Sequence, residues 1–210
     1  IYCNDDKGSR KLGSTVTNTR TFTYGTSPDS DLVIDQITLL PLGSSARAIW
    51  HGKVIGKLEL SVPGHHNLMN AAAALAAGIV LDQAPGEMIE GLATFKGAGR
   101  RFEIKGTVNG IRVIDDYGHH PTEIEVTLTA ARRFAGEGRL IVVFQPHRYS
   151  RTKAFIDNFA STLDLADEVI VLEIYAASEK PIAGISSEAI VEKMTHGKFI
   201  PNFIDAVDAV

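Results

Sequence analysis

The first part of the chain changes from a strand-like to a helix-like pattern of hydrophobic and polar positions near residue 63. Segments rich in β-branched and aromatic residues between Thr15 and Val62 are typical of strands. The alanine-rich segment that follows favours a helix, because alanine has the highest helix propensity. The predicted elements are strands at Thr21–Tyr24, Leu32–Leu42, Ala46–Trp50 and Val54–Val62, a turn at His51–Lys53, a helix from His66 that ends between Gly78 and Asp82, and a helix at Pro85–Thr94.

After a segment with two glycines, Lys96–Phe102, the pattern alternates apolar strands with amphipathic helices. This segment predicts a domain boundary, with one domain at residues 1–100 and the other at residues 101–210. The alternation is typical of a doubly wound α/β domain, a parallel sheet covered on both faces. The predicted elements are strands at Ile111–Asp115, Leu140–Phe144, Val169–Tyr175 and Lys198–Pro201, and helices at Pro121–Phe134, Thr152–Leu163, Ser186–Thr195 and from Phe203 onward.

Composition narrows the classes of function. The formal net charge is -4, and no stretch combines basic residues with interleaved aromatic ones, so we expect no nucleic-acid partner. The longest apolar runs, such as Leu140–Phe144, are too short to cross a bilayer, so we expect no membrane span. The single cysteine, Cys3, cannot form an internal disulfide, which favours a reducing compartment and a cytoplasmic location.

Polar and charged side chains follow three of the predicted strands in the second half. The segments concerned are Asp116–Pro121, Gln145–Thr152 and Ala176–Lys180. Open α/β sheets form their sites at the carboxyl ends of strands, and guanidinium groups bind carboxylate or phosphate oxygens in bidentate pairs. The pattern therefore predicts an anion-binding site, although each signal has a structural alternative.

The alternatives at these strand ends are capping, solvation and turn formation. His119 and His120 precede a helix that begins with proline and could cap it. Arg148 and Arg151 could be solvated surface charges, and the aspartates before Tyr117 could form a turn.

Asn67 and Asn70 lie at positions i and i+3, so they share one face of a predicted helix. Two carboxamides can match the donor and acceptor edge of a purine. Alternatively, Asn67 caps the helix and Asn70 faces solvent. No pair of cysteines and no metal-spaced His/Glu set is present, so the sequence predicts no metal site.

Four motifs together resemble the Mur ligase family. They are Pro63–Ala71 (PGHHNLMNA), Phe95–Glu103 (FKGAGRRFE), Asp115–Glu123 (DDYGHHPTE) and Gln145–Thr152 (QPHRYSRT). The last two are similar to the branch of the family that acts on UDP-N-acetylmuramate. The resemblance implies the C-terminal part of a P-loop-type central ATPase domain, a β-rich piece plus helices, followed by a Rossmann-like α/β domain.

The resemblance also implies roles for individual residues. It implies that ATP, with Mg²⁺, activates the carboxylate of UDP-N-acetylmuramic acid as an acyl phosphate, which L-alanine then attacks, in peptidoglycan precursor synthesis. Residues implied to contact ATP are Asn67, Asn70, Arg100, Arg101 and Asp116. Residues implied to bind substrate are Tyr117, His119, Arg148, Arg151 and Lys180, of which His119, Arg148 and Arg151 are the candidate catalytic residues.

The sequence departs from the family in one respect. It contains no G-x-x-G-K-[ST] motif, whose backbone would cradle phosphates. We therefore expect a fragment that lacks the N-terminal portion of the same protein and is inactive alone. Two other functions stay open: a ligase that attaches a murein tripeptide to UDP-N-acetylmuramate, and a non-catalytic α/β binding module.

Overall fold

The computed structural model describes residues 1–210 and divides them into two compact units, Ile1–Ala98 and Gly99–Val210. None of the helices in either unit combines the length and hydrophobicity needed to cross a membrane. The first unit contains five strands and three helices. They are β1 (Tyr2–Cys3), α1 (Lys7–Gly13), β2 (Thr23–Gly25), β3 (Leu32–Leu40), β4 (Gly43–Trp50), β5 (Lys53–Leu60), α2 (His65–Val80) and α3 (Pro85–Ala93).

The strands of the first unit form one sheet in the order β1-β2-β3-β4-β5. The pairs β1–β2 and β2–β3 are parallel, and the other two pairs are antiparallel. Leu32 and Ile34 of β3 are fully buried in one cluster with Leu68 and Leu75 of α2. This cluster explains the predicted strands and helix, because α2 turns one apolar face towards the sheet.

Helix α1 was not predicted. It is short and exposed, and a cap rather than an apolar face defines its start, since the Asp6 carboxylate accepts a hydrogen bond from the Ser9 N–H. The predicted turn between β4 and β5 is confirmed. His51 and Gly52 have φ values of 46° and 79°, which suit a tight two-residue hairpin turn.

The second unit contains a two-stranded hairpin, a three-stranded sheet and four helices. They are β6 (Glu103–Val108), β7 (Ile111–Asp115), α4 (Pro121–Ala135), β8 (Ile141–Phe144), α5 (Tyr149–Leu163), β9 (Glu168–Val171), α6 (Glu188–Val191), β10 (Lys198–Phe199) and α7 (Phe203–Asp208). The three-stranded sheet has the order β10-β9-β8, and both of its strand pairs are parallel. The predicted parallel sheet is therefore confirmed for these three strands.

Central strand β9 is buried on both faces. Val169 and Val171 pack in a cluster with residues of α4, α5 and α6. Ile170 packs on the other face with Ala206 of α7. Because successive side chains of a strand point to opposite faces, this division shows helices covering both sides of the sheet.

The prediction that Ile111–Asp115 belongs to the parallel sheet is wrong. This strand, β7, pairs antiparallel with β6, an element that was not predicted. Asn109 and Gly110 have φ values of 51° and 83°, and this pair closes a tight hairpin turn. The hairpin is also open to solvent, since Ile111 is 54% exposed. The prediction followed the alternation of strands and helices along the sequence and therefore assigned β7 to the parallel sheet instead of to a local hairpin with β6.

Several other boundaries differ from the prediction, among them those of α6 and β9. Helix α6 covers only Glu188–Val191, where the pattern predicted a helix over Ser186–Thr195. Strand β9 ends at Val171, but the following chain stays close to the β8 side, because Tyr175 forms an isolated parallel bridge with His147. This bridge brings the loops after β8 and β9 together.

Candidate functional site

Asp116, the residue that follows β7, joins two segments that carry predicted site residues. Its Oδ1 accepts a hydrogen bond from the Gly118 N–H (2.7 Å), and its Oδ2 accepts one from the Phe102 N–H (2.9 Å). The Tyr117 N–H donates to the Arg100 carbonyl oxygen over 2.7 Å. Asp116 therefore fixes the backbone around the predicted arginines, and both of its oxygens already have a donor.

Arg100 and Arg101 lie against the ring of Tyr117. Their guanidinium carbons are 5.0 Å and 5.8 Å from the ring centroid, within cation–π range. Arg100 pairs with Asp115 over 3.1 Å, and Arg101 pairs with Glu123 over 3.7 Å. The two arginine side chains are 58% and 49% exposed, so both remain open to an anion.

The N-terminus of α4 is capped by His120. Its Nδ1 accepts a hydrogen bond from the Thr122 N–H (3.3 Å), while the Glu123 side chain accepts the N–H groups of His119 and His120. This is a capping box. Partial burial would raise the pKa of Glu123, but these hydrogen bonds and the nearby charge of Arg101 outweigh it and hold the pKa below its ordinary value. The capping alternative is thus correct for His120.

His119 does not cap the helix with its ring. Its Nδ1 lies 3.0 Å from the Tyr117 carbonyl oxygen. The His119 ring packs edge-on against the Tyr117 ring at 5.2 Å and lies 6.1 Å from the His147 ring. His119 therefore faces residues of the next loop of the unit, and no hydrogen bond engages its Nε2.

Arg148 and Arg151 flank the start of α5, after β8. Arg148 is the N-cap residue and has φ 75° and ψ 134°, a strained conformation for a residue with a side chain. Its N–H donates to the Tyr175 carbonyl oxygen (2.8 Å), and its own carbonyl accepts from the fully buried Thr152 hydroxyl (3.0 Å). Arg151 NH1 lies 3.3 Å from both Nδ1 and the carbonyl oxygen of His147. Hydrogen bonds thus hold the backbone of Arg148, and the contacts with His147 orient the guanidinium group of Arg151.

Glu179, in the loop after β9, binds the first turn of α5. Its carboxylate accepts hydrogen bonds from the Ser150 hydroxyl (2.6 Å) and N–H (2.9 Å), and lies 3.9 Å from Arg148 NH1. The Ser150 hydrogen bonds hold the pKa of Glu179 below its ordinary value. Ala177 and Ser178, just before it, have positive φ values of 47° and 71°.

Backbone strain is concentrated around these loops. Five of the nine non-glycine residues with positive φ are Arg100, Phe102, Arg148, Ala177 and Ser178. Such conformations persist only where surrounding contacts hold them, and they cluster at functional sites.

The three loops of the second unit meet around His147. Its ring stacks on Tyr175 at 5.4 Å and lies 6.1 Å from His119. The structure therefore brings Tyr117, His119, Arg148 and Arg151 into one neighbourhood. Lys180 differs, because it is exposed and makes no hydrogen bond or ion pair.

Four residues of this neighbourhood were missed by the sequence reasoning. They are Glu123, His147, Tyr175 and Glu179. Glu123 had a signal, since a Glu three residues after the cap completes a capping box. Tyr175 had none, because its contact with His147 depends on long-range strand pairing.

In the first unit, Asn67 and Asn70 lie in the first turns of α2. The N-cap is Gly64, with φ 100°, so the prediction that Asn67 could be the cap residue is wrong. Instead, the Asn67 Nδ2 donates to the Pro63 carbonyl oxygen (2.7 Å), which leaves its own carbonyl oxygen free. Asn70 is exposed and makes no hydrogen bond with its side chain.

Comparison with known proteins relates both units to one family. A family profile described as "Mur ligase, glutamate ligase domain" matches residues 100–210. A UDP-N-acetylmuramate–L-alanine ligase of Paenarthrobacter aurescens is 46% identical over 100% of this chain and 45% of its own length.

Two solved structures share the fold. A UDP-N-acetylmuramate–alanine ligase of Thermotoga maritima matches 90% of this chain and 41% of its own, with a TM-score of 0.75 and 30% identity. A murein peptide ligase of Psychrobacter arcticus matches 90% of this chain and 40% of its own, with a TM-score of 0.64 and 23% identity.

The chain spans less than half the length of each of these proteins. The matches confirm the predicted mixed α/β fold class, because the chain superposes on these structures along most of its length. The profile matches more than half of the chain. The chain belongs to the Mur ligase family.

Proposed function

We propose that the whole protein to which this chain belongs is an ATP-dependent ligase that joins L-alanine to the carboxylate of UDP-N-acetylmuramic acid. This step would contribute to peptidoglycan precursor synthesis in the cytoplasm, where ATP is available. The observation that carries the proposal is the 46% identity, over the whole chain, to a relative of that name. The groups of the second unit give it a chemical basis.

We assign residues 1–100 to the central ATP-binding domain and residues 101–210 to the C-terminal domain that binds the amino acid. ATP would supply the phosphoryl group that activates the substrate carboxylate. Asn67 and Asn70 are suited to the adenine, because the free carbonyl oxygen of Asn67 can accept and the free carboxamide of Asn70 can donate or accept.

Arg100 and Arg101 are the proposed phosphate contacts of the second unit. Both guanidinium groups are about half exposed, and an exposed ion pair is weak enough to yield to a phosphate. Asp116 would act beside them by holding the backbone at Phe102 and Gly118.

Arg148 and Arg151 are suited to the amino-acid carboxylate or to the oxygens of an acyl phosphate. Guanidinium groups bind both in charge-assisted pairs, and stabilise charge that develops during acyl transfer. Tyr117 would line the same site through its contact with His119. The role of Lys180 as a substrate contact stays a prediction, because it has no partner that fixes it.

His119 is suited to accept the proton that the amine must lose. The Tyr117 carbonyl oxygen can only accept, so His119 Nδ1 must carry the hydrogen and, in the neutral ring, Nε2 keeps a lone pair. In the proposed step the amine nitrogen bonds to the carbonyl carbon of the acyl phosphate and the carbon–oxygen bond to phosphate breaks. The proton of the amine passes to His119 Nε2.

The requirement for Mg²⁺ stays a prediction, because Mg²⁺ is usually held by one or two carboxylates together with the phosphates of the substrate. No group of three or more His, Cys, Asp or Glu side chains in the chain is placed so that it could hold a metal ion. We therefore derive no step through Mg²⁺.

The test is product identity in the full-length protein. Incubated with Mg-ATP, UDP-N-acetylmuramic acid and L-alanine, it should form UDP-N-acetylmuramoyl-L-alanine, detected by mass spectrometry, with one phosphate released per product. Omission of any one substrate should abolish the product. Product formed only with the tripeptide L-Ala-γ-D-Glu-meso-diaminopimelate would instead favour the murein tripeptide ligase. Absence of turnover, together with no binding of Mg-ATP in calorimetry, would favour the binding module.

A further inference from the structure

His147 occupies the centre of the candidate site but plays no part in the proposed reaction as described so far. Its Nδ1 lies 3.3 Å from Arg151 NH1. Its ring stacks on Tyr175 and faces His119 from 6.1 Å. Arg151 and Tyr175 therefore hold the His147 ring, and neither of them forms a hydrogen bond with its Nε2.

The contact with Arg151 determines the tautomer of His147. A guanidinium group has donors and no acceptor, so Nδ1 must be the acceptor in this hydrogen bond. The hydrogen of the neutral ring then lies on Nε2. Nε2 makes no hydrogen bond, and no buried side-chain nitrogen or oxygen in the chain lacks a partner, so Nε2 is open to solvent or a ligand.

The surroundings also keep the His147 ring neutral. Burial, and then the positive charges of Arg151 and Arg148, lower the pKa of His147, and the charge of Glu179 acts in the opposite direction. A protonated ring would in addition turn Nδ1 into a donor that faces the Arg151 donor.

The two histidines thus have opposite tautomers. His119 carries its hydrogen on Nδ1, next to the Tyr117 carbonyl oxygen, and can accept a proton at Nε2. His147 can only donate from Nε2. Two imidazoles about 6 Å apart could therefore perform different tasks, one on the amine and one on an oxygen.

We propose that His147 is a neutral hydrogen-bond donor, held in the Nε2–H tautomer by Arg151, that binds an anionic oxygen of the substrate next to Arg148 and Arg151. The inference rests on the proposed ligase function. The oxygen belongs either to the carboxylate of the incoming amino acid or to the phosphate of the acyl phosphate. A donor with no net charge would orient this oxygen without adding to the positive charge of the two arginines.

The first test measures the tautomer in the 210-residue chain, without any ligand. Long-range ¹⁵N–¹H correlation spectra distinguish the two nitrogens of a neutral imidazole, and the His147→Asn variant assigns the signals among the seven histidines. We expect a neutral Nε2–H ring at pH 7, and a mixture of tautomers in Arg151→Ala. A neutral Nδ1–H ring, or a charged one, would overturn the inference.

The second test uses three variants of the full-length protein. His147→Gln can present an amide donor near the position of Nε2, His147→Asn can only replace the Nδ1 side, and His147→Phe replaces neither. We expect Gln to retain most of the activity, and Asn and Phe to lose about 10- to 100-fold in kcat/KM, the usual effect of a lost hydrogen bond to a charged group. A loss seen in KM for L-alanine would identify its carboxylate as the acceptor, and a loss confined to kcat would identify the phosphate.

Two results would contradict the donor role: a Gln variant as impaired as Phe, or a Phe variant with unchanged kinetics. The first of these would point to a proton acceptor instead. A wild-type protein without ligase activity would reject the proposed function and, with it, the substrate contact proposed for His147. A wrong tautomer in an active enzyme would reject this inference alone.

Discussion

Neighbouring residues of the same type have different roles in this chain, as Asp115 and Asp116 show. Asp116 accepts hydrogen bonds from two backbone N–H groups, of Phe102 and Gly118, and thereby ties two loops together. Asp115 pairs only with the side chain of Arg100, which is 58% exposed. The Asp116 carboxylate thus takes the place of water at two backbone N–H groups, whereas the ion pair between Asp115 and Arg100 is exposed to solvent.

We expect Asp116→Asn to lower the free energy of unfolding by about 1–3 kcal/mol, because an amide has one acceptor oxygen and its NH₂ group would face a backbone donor. Asp115→Asn is the matched control. It should cost less than about 1 kcal/mol, the range of exposed ion pairs. Urea unfolding of the chain, followed by circular dichroism, measures both. Equal losses would show that the two loops are not joined through Asp116.

At the residue scale, the sequence predicted most of the side chains of the candidate site but not the side chains that they contact. Tyr117, His119, Arg148 and Arg151 were predicted from their positions after strands and from the family resemblance. The pairing of His147 with Tyr175 could not be predicted, because the two residues lie 28 positions apart in the sequence and only the sheet brings them together.

The elements of the second unit are joined by polar contacts at their ends as well as by their core. Asp164, the C-cap of α5, accepts hydrogen bonds from the N–H and hydroxyl of Thr195, beyond α6. Burial would raise the pKa of Asp164, but these hydrogen bonds outweigh it and hold the pKa below its ordinary value. The contact thus anchors the chain after α6 to the end of α5.

The lowered pKa of Asp164 predicts a pH dependence. A carboxylate whose pKa is depressed by folding adds stability above its unfolded pKa of about 4, and this stability is lost as the pH falls through the folded pKa. Asp164→Asn should therefore be less stable than the wild type at pH 7, and the difference should narrow as the pH falls from 5 to 3.

Asp157→Asn is the control, since Asp157 lies on the same helix, is 78% exposed and only pairs with Lys193 at the surface. Its effect should be small at every pH. A difference between the wild type and Asp164→Asn that stays constant down to pH 3 would mean that the charge of Asp164 does not contribute. Urea titrations across this range provide the measurement.

At the element scale, the hydrophobic pattern predicted the strands and helices that bury an apolar face. Helix α2 and strands β8 and β9 are of this kind. The hydrophobic pattern did not predict two exposed elements whose turn or cap residues define them. They are the hairpin closed by Asn109 and Gly110 and helix α1, which Asp6 caps. Turn and cap residues act through backbone geometry and local hydrogen bonds, so the spacing of apolar residues cannot predict the elements that they define.

At the scale of the whole molecule, the second unit gathers most of the candidate chemistry at the ends of β7, β8 and β9. Tyr117 and His119 follow β7, Arg148 and Arg151 follow β8, and Glu179 follows β9. The departure of β7 from the parallel sheet leaves this arrangement intact, because the capping box of α4 and the Asp116 hydrogen bonds fix the loop that follows β7. We therefore propose as the central claim that the start of α5 binds an anionic group in the reaction with the amino acid, either its carboxylate or the acyl phosphate.

The most direct test of this claim is kcat/KM for L-alanine in the full-length protein, with saturating ATP and UDP-N-acetylmuramic acid. Arg148→Ala and Arg151→Ala should each lose about 10- to 100-fold, because each removes a charge-assisted hydrogen bond to the substrate. Lys153→Ala, which removes an exposed positive charge from the same helix, should stay within about twofold of the wild type. Arginine variants that behave like Lys153→Ala would contradict the proposed site.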